Sequence, residues 1–433
     1  MPNYRDPTDS HLYPVHKVQT CSGRPLEVTT VSGYSVAFTP AGTTAADAFG
    51  RLRVSQPYTI FDSQHRYQEN DKWTTLTGGA ATTTFNANES TLSLNVTTAS
   101  GDYIYRETKR VFPYQPGKSL LVLNSFTFAS GVSNRRQRVG YFSTQNGIFF
   151  EQSGTTNYFV LRSFVSGSVN ETRVAQADWN EDKFNGSGGS NRVLDPTKGN
   201  IFWMDIEWLG VGDVRAGFVV DGSLVVAHVF HNENLKDTTY MTTAVLPLRH
   251  EIENVGTTST SGTARQICNT VASEGGYEGF TRRYNIATST TPKTLTSSGV
   301  TYPLVSIRMA SGRTDSVIVP ANLSIALEQT QNNKPDIIQY RVLLNPTLSG
   351  ANWQTHYNGN VQYDTTATGV SGGTDVVGGY IVSDGTLSLS DVRDFNFQLG
   401  RDQASVSDIF TVVAAPTISG AKVFTDLSWF EIV

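Results

Sequence analysis

Short apolar segments recur at intervals of roughly 8 to 15 residues from Leu92 to the end of the chain, often separated by Gly or Asn. No amphipathic helix longer than about two turns can be traced in the sequence. This spacing predicts an all-β protein in which antiparallel sheets pack face to face as sandwiches. The segments are Leu92–Thr98, Ser119–Phe128, Arg138–Phe142, Gly147–Glu151, Tyr158–Phe164, Leu304–Met309, Val317–Glu328, Ile337–Leu344, Tyr380–Val382, Phe395–Leu399, Ile409–Val413 and Lys422–Ile432.

The residues from Val214 to Phe230 have the pattern of a β-hairpin. Two apolar segments, Val214–Val220 and Leu224–Phe230, flank the pair Asp221-Gly222. An Asp-Gly pair readily adopts the positive φ angles of a two-residue type I′ turn. The sequence therefore predicts two adjacent antiparallel strands, and the alternating segment Ile201–Leu209 predicts a further strand before them.

The composition excludes several classes of function. Only 16% of the residues are charged, and a net charge of −5 argues against a nucleic-acid-binding surface. No apolar run approaches the length of about 20 residues that a membrane-spanning helix needs, and the first residues lack the pattern of a signal peptide. The two cysteines, Cys21 and Cys268, predict free thiols and assembly in a reducing cytoplasm, with one disulfide as the alternative.

Composition shifts along the chain predict three parts. Five prolines within the first 40 residues disfavour helices and interior strands, so an extended docking arm is expected over residues 1–60. A Ser/Thr/Pro-rich stretch, Ala287–Gly299, is typical of a linker. We therefore expect a first β-sandwich over residues 61–290 and a second over residues 291–433.

The strand predicted at Ile201–Leu209 carries the strongest indication of catalysis. Asp205 and Glu207 alternate along it, which places both carboxylates on one face, roughly 7 Å apart. The segment resembles the catalytic strand of laminarinase-type glycoside hydrolases, which have a concanavalin-like sandwich and a Glu-x-Asp-x-Glu pattern. Trp203 stands where those enzymes keep their nucleophile. A retaining glycosidase needs two carboxyl groups about 5–5.5 Å apart, so the pattern favours an outer face paired to arginines such as Arg215 or Arg249.

Aromatic residues in loop-like contexts are the candidate contacts for a glycan or protein ligand, with core packing as the alternative for each. They are Trp73, Trp179, Tyr277, Trp353 and Tyr357. No metal site or cofactor is expected. His228 and His231 would point to opposite faces of a strand, and the acidic loops at 180–191 and 384–391 match no specific calcium-binding loop.

The stretch Asp47–Tyr67, DAFGRLRVSQPYTIFDSQHRY, has the features of a docking element. Its groups suited to proton transfer, Asp62 and His65, have no third partner nearby, which disfavours catalysis. The stretch offers apolar side chains for burial and arginines that pair with carboxylates. The alternative is that it forms the first strand of the sandwich. The residues expected at the docking interface are Phe49, Arg51, Leu52, Arg53, Val54, Ile60 and Phe61.

Three blocks of sequence resemble, in the same order, virion structural proteins of tailed bacteriophages of the marine and cyanobacterial type. The first is DAFGRLRVS, with TIFDS shortly after it. The second block consists of WLGVGDVRAGFVVDG, HVFHNEN and YMTTAVLPLRHEI. The third consists of YRVLLNPTLSGANW and VQYDTTATGVSGGT. The resemblance implies a lectin-like, jelly-roll sandwich in a structural or adhesive protein of a phage particle, and it implies no catalytic residue.

These observations lead to three alternative functions. The first is a non-enzymatic virion protein of the tail, baseplate, fibre or surface, which docks by its arm onto other virion proteins. The second is an adhesin that binds a glycan of the host surface. The third is a glycan depolymerase using Asp205 and Glu207. A homo-oligomer, with a trimer favoured, is expected because phage appendages commonly sit on symmetry axes, and neither nucleic acid nor membrane insertion is expected.

Overall fold

The protein is built almost entirely of β-strands, as the sequence predicts. The computed structural model describes residues 56–276, 282–328, 330, 336–383 and 397–432, together with the backbone alone of several strands outside these ranges. Five short strands before residue 56 form two small sheets. They are β1 (Asn3–Arg5), β2 (Leu12–Pro14), β3 (Lys17–Gln19), β4 (Pro25–Val31) and β5 (Ser35–Phe38).

The first sandwich packs a seven-stranded sheet against an eight-stranded sheet. The seven-stranded sheet has the order β16-β15-β14-β13-β21-β10-β7, the eight-stranded sheet has the order β19-β18-β17-β12-β22-β9-β8 with β6 also on β22, and β11 pairs with β20. The strands are β6 (Pro57–Gln64), β7 (Trp73–Gly78), β8 (Thr82–Asn86), β9 (Thr91–Val96), β10 (Tyr103–Thr108), β11 (Phe112–Pro113), β12 (Ser119–Thr127), β13 (Arg135–Phe142), β14 (Gly147–Ser153), β15 (Thr156–Ser163), β16 (Asn170–Ala175), β17 (Asn200–Ile206), β18 (Val214–Val220), β19 (Ser223–Phe230), β20 (Val245–Leu246), β21 (Leu248–Asn254) and β22 (Gly262–Glu274).

The second sandwich packs a five-stranded sheet against a six-stranded sheet. The first has the order β23-β35-β26-β33 with β24 also on β35, the second has the order β29-β30-β25-β34-β27-β32, and β28 pairs with β31. The strands are β23 (Arg282–Ala287), β24 (Lys293–Leu295), β25 (Tyr302–Met309), β26 (Val317–Glu328), β27 (Ile337–Leu344), β28 (Thr347–Ser349), β29 (Gln354–Thr355), β30 (Val361–Asp364), β31 (Gly369–Ser371), β32 (Thr374–Val382), β33 (Thr386–Leu389), β34 (Ile409–Pro416) and β35 (Ala421–Ile432).

Alternation along the strands fills each core from both sheets. In β12 every second residue, from Leu120 to Phe126, is buried, while the residues between are half-buried. The hairpin of β18 and β19 turns at Asp221 and Gly222, whose φ angles of 48° and 78° are those of the type I′ turn that the sequence predicts. The centre of the first core is a group of stacked and tilted rings: Phe126, Phe128, Phe150, Phe159, Phe202 and Phe218.

Both expected domain boundaries need correction. Strands β23 and β24 pair with β35, so the stretch Ala287–Gly299 lies inside the second sandwich, and the chain changes sandwich between Glu274 and Arg282. At the other boundary, β6 pairs with β22, so residues 57–60 belong to the first sandwich and not to the arm. Both shifts result from pairing between strands that are distant in sequence, which local composition does not report.

The two sandwiches contact each other through residues 397–408. Arg401 Nη1 lies 2.8 Å from Glu107 Oε1 of the seven-stranded sheet. Gln403 Nε2 donates to the carbonyl oxygens of Thr74 and Tyr105, at 3.1 Å and 2.6 Å. Thr74 belongs to β7 and Tyr105 to β10, so Gln403 bridges two neighbouring strands of the first sandwich.

Candidate functional site

Strand β17 lies within the eight-stranded sheet, between β12 and β18, and its residues alternate between two faces. Phe202, Met204 and Ile206 point into the core and are fully buried. Trp203 and Asp205 alternate with them and point to the opposite face, called here the outer face. The acidic strand thus presents its polar residues away from the core.

Asp205 forms an ion pair with the arginine directly opposite it in the sheet. Arg215 of β18 donates from Nη2 to Asp205 Oδ2. The Asp205 side chain is only 6% exposed, whereas that of Arg215 is 53% exposed. The other oxygen of Asp205, Oδ1, is buried without a hydrogen-bond partner, and so is the indole Nε1 of Trp203. An unpaired buried polar atom costs about 1–3 kcal/mol, so a ligand that supplies a partner gains affinity.

A groove of about 580 Å³ opens on the outer face beside this ion pair. Its lining includes the aromatic ring of Tyr114 and the exposed Glu207 next to Asp205. Four carboxylate residues line the groove against two permanent cations, Lys118 and Arg215. The groove therefore favours a neutral or basic ligand over an acidic one.

The far wall of the groove is held by a cluster of polar groups. His231 Nδ1 lies 2.8 Å from Asp213 Oδ2, and the backbone N–H of Asn232 donates to Asp213 Oδ1. Burial raises the pKa of Asp213, but the hydrogen bonds that it accepts, including those from His231 and the Asn232 N–H, outweigh this, and the pKa lies below its usual value. Asp213 therefore stays ionised at neutral pH and fixes the position of His231.

A second depression, of about 320 Å³, lies at the other end of β17 and includes Ile201, Ser125 and Cys268. Ser125 is opposite Ile201 in the β12·β17 pair, so both residues lie on the outer face. Ile201 and Glu207 are about 20 Å apart along an extended strand. The groove and the depression thus lie at the two ends of β17 on the outer face, with the buried Trp203 between them.

The residues of β12 that lie beside β17 on the outer face could not be recognised from the sequence. The segment Ser119–Thr127 reads as a continuous apolar run, which hides the difference between its two faces. Leu121 and Leu123 are half-buried and lie opposite Asp205 and Trp203, respectively. Apolar residues occupy both faces of β12 in the sequence, and this pattern indicates a strand that is partly covered on its outer face as well.

The aromatic residues expected to contact a ligand do not form one site. Trp73 and Trp179 are 4% and 1% exposed and belong to the core of the first sandwich, where Trp179 stacks on Phe159 at 4.2 Å. Trp73 and Trp179 are thus core residues, although the sequence around each of them is typical of a loop. On the second sandwich, Trp353 is half-buried beneath Arg308, and Tyr357 is 84% exposed. Tyr277 lies outside the described residues.

The residues expected at the docking interface fall into two groups. Phe49, Arg51, Leu52, Arg53 and Val54 lie outside the described residues. Ile60 and Phe61 belong to β6 and pack against the core of the first sandwich. This part of the stretch is therefore a strand of the sandwich, which is the alternative that the sequence left open.

Within the described part of the chain, no group of three or more His, Cys, Asp or Glu residues could hold a metal ion. The same residues include no helix long and apolar enough to cross a membrane. Cys268 is an exposed residue with a free thiol, and partial burial of this thiol raises its pKa.

Comparison with known proteins finds similarity only at the level of solved structures. No protein-family model matches the chain, and no curated protein matches it. Endo-β-1,4-glucuronan lyase of Trichoderma reesei is 11% identical over 49% of this chain and 95% of its own, with a TM-score of 0.34. The carbohydrate recognition domain of Emp47p is 10% identical over 54% of this chain and 100% of its own, with a TM-score of 0.32.

A third similar structure comes from a phage. The CBM2 module of an evolved Dit from Lactobacillus casei BL23 phage J-1 is 4% identical over 52% of this chain and 100% of its own, with a TM-score of 0.33. Each of the three therefore corresponds to about half of this chain. Similarity at this level carries no inference about function, so what the groove can bind has to follow from its own residues.

Proposed function

We propose that the first sandwich binds a glycan in the groove of its outer face without changing it chemically, and that the chain is a structural, adhesive protein of a tailed-phage particle. The observation that carries the glycan-binding part is the buried, unpartnered Oδ1 of Asp205 beside the groove. A carboxylate oxygen only accepts hydrogen bonds, so its natural partner is a ligand hydroxyl or amine.

The surroundings of Asp205 supply the other contacts that a sugar needs. The exposed Arg215 guanidinium donates hydrogen bonds to ligand oxygens from the position next to Asp205. The exposed Leu209 and the half-buried Val229, which both line the groove, add apolar surface for the carbon face of a sugar ring. The excess of carboxylates supports a neutral or amino sugar over an acidic one.

Two features support binding without catalysis. Trp203 occupies the position at which a Glu nucleophile would precede Asp205 by two residues on the strand. Asp205 itself is held in an ion pair with Arg215, which orients its carboxylate along the sheet. A depolymerase would need a second carboxyl group on the other side of the sugar, and Glu207 is the remaining candidate on this strand.

The particle part of the proposal is supported by the three sequence blocks that resemble tailed-phage virion proteins. In this proposal the protein is assembled in the host cytoplasm, docks through the residues before Gln56 onto other virion proteins, and forms a homo-oligomer. Mass spectrometry of purified particles tests this part directly. Absence of the chain from intact particles would overturn it without affecting the glycan-binding part.

Replacing Asp205 by Asn is expected to weaken glycan binding about tenfold or more, because Oδ1 loses its charge and the pairing with Arg215 weakens. Binding of the purified full chain to an array of neutral, amino and acidic glycans gives the ligand, and calorimetry gives the affinity. Asp221→Asn is the matched control, because Asp221 also pairs with an arginine, Arg192, but is exposed and away from the groove. Equal affinities of the two variants would contradict this site.

Incubation of the bound glycan with the protein is expected to leave its chain length unchanged. Mass spectrometry of the glycan before and after incubation measures this. Shortening that disappears in Glu207→Gln but persists in Asp221→Asn would contradict the non-enzymatic proposal and favour the depolymerase.

A further inference from the structure

Strand β32 forms one edge of the six-stranded sheet in the second sandwich. It pairs with β27 on one side, and no described strand lies on its other side. A β-bulge at Val376 interrupts the pairing with β27, so the regular part of the edge is Val377–Val382. This six-residue segment, called the VGGYIV edge, contains no charged residue and no proline.

Three other edges of the large sheets, β19, β16 and β23, carry protection that the described residues do not give to the VGGYIV edge. The amide of Asn180 bonds to both backbone groups of Val229 on β19. Strand β16 carries Glu171 and Arg173, and β23 begins with two arginines. Charged side chains and covering segments are the usual means of preventing edge-to-edge association.

The exposed side chains of the VGGYIV edge are apolar or aromatic. Tyr380 is 68% exposed and Val382 is 45% exposed. The nearest charge on the strand is Asp375, which lies before the bulge and pairs with Arg341 of β27 at 3.2 Å. An uncharged edge with large exposed side chains is a template for another strand.

We propose that the VGGYIV edge pairs with the same segment of a second copy of this chain, antiparallel and about a two-fold axis at Gly379. A two-fold axis perpendicular to the sheet keeps each side chain on the same face in both copies. Odd-numbered residues therefore lie opposite odd-numbered residues, and even-numbered residues opposite even-numbered ones. In this register Tyr380 lies opposite Gly378 of the second copy, and Val377 lies opposite Ile381 of the second copy.

The sequence of the segment fits this register. The Tyr380 ring covers the space above a glycine, which has no side chain of its own to pack, and two apolar residues meet on the other face. No charges are brought opposite each other in either copy. The contact is independent of the expected trimer, because a two-fold contact would join such trimers in pairs.

Cysteine cross-linking tests the register. In a chain with Cys21→Ser and Cys268→Ser, we expect Gly378→Cys and Tyr380→Cys proteins to form disulfide-linked dimers when mixed, but not separately. Opposed residues on neighbouring strands have Cβ atoms about 4.5–5.5 Å apart, close to disulfide range, whereas identical residues displaced from the axis do not. Equal cross-linking of each variant with itself would indicate parallel pairing and overturn the proposal.

Light scattering gives a second test that does not depend on Gly378. Tyr380→Lys is expected to raise the dissociation constant of this dimer at least about tenfold, because it places a charge on the edge. Tyr357→Lys is the matched control, since Tyr357 is even more exposed but lies outside the edge. Equal masses for both variants would overturn the proposal. A dimer that is lost only when residues 1–55 are removed would also overturn it, and would assign the contact to the N-terminal arm instead.

Discussion

Removal of residues 1–64 is expected to unfold the first sandwich, whereas removal of residues 1–55 is expected to leave both sandwiches folded. The longer deletion removes β6, an eight-residue strand paired along β22. It exposes the space filled by Phe61, which is 3% exposed and packs on Phe112 with ring centroids 4.8 Å apart. It also removes the acceptor Ser63, to which Trp73 donates at 2.8 Å.

The expected size of this effect is large because several contacts are lost together. Deleting one buried Phe side chain costs about 3–5 kcal/mol, and typical domains are stable by only about 5–15 kcal/mol. Thermal unfolding followed by circular dichroism and tryptophan fluorescence measures it. The 1–55 deletion is the matched control, and it is also expected to stay folded while failing to join particles. Equal melting temperatures for the two deletions would contradict the structural role of β6.

Acidification is expected to destabilise the first sandwich between about pH 6.5 and pH 4, through the buried histidines His65, His228 and His250. Burial lowers the pKa of His228 to about 4. His65 and His250 are 0% and 3% exposed. Burial, followed by the charge of Arg106, lowers the pKa of His65 to about 4 and that of His250 to about 3. Each accepts a hydrogen bond as a neutral ring, His65 from the backbone N–H of Asn70 and His250 from Asn269 Nδ2.

Acid lowers the free energy of unfolding because the unfolded state takes up protons at a higher pH than the folded state. The unfolded histidines protonate near pH 6.5, and the folded ones protonate only near pH 4 and pH 3, so the free energy of unfolding falls as the pH falls through this window. The loss is on the order of 3 kcal/mol for each histidine. Glu69 is the negative charge facing His65, and it opposes the shift only in part.

Urea unfolding at about pH 7 and about pH 5 measures the effect while most unfolded carboxyl groups are still ionised. His250→Gln keeps an acceptor for Asn269 and cannot take up a proton, so it is expected to reduce the difference between the two pH values. His231→Gln is the matched control, because His231 lies at the surface with 54% of its side chain exposed. A difference that is the same in both variants would contradict this origin of acid sensitivity.

The candidate site was only partly visible in the sequence. Alternation along β17 placed Asp205 on a face away from Phe202 and Met204. Of the two arginines expected to pair with this strand, Arg215 binds Asp205, whereas Arg249 pairs with Glu107 and Glu251. The groove itself was not visible, because its walls come from β12, β17 and β18, and from loops around Tyr114 and His231. Which strands are neighbours depends on the whole fold and not on any one segment.

The sequence by itself determined the strands and their local turns, because backbone preferences act over a few residues. The period-two pattern of β17 and the Asp221-Gly222 turn are of this kind, since each depends on side chains and φ angles within one segment. Only the tertiary structure decided that Trp73 and Trp179 are core residues, that β23 joins β35, and that Asp205 keeps one oxygen without a partner. Each of these depends on contacts between residues far apart in the chain, which form only when the sheets pack.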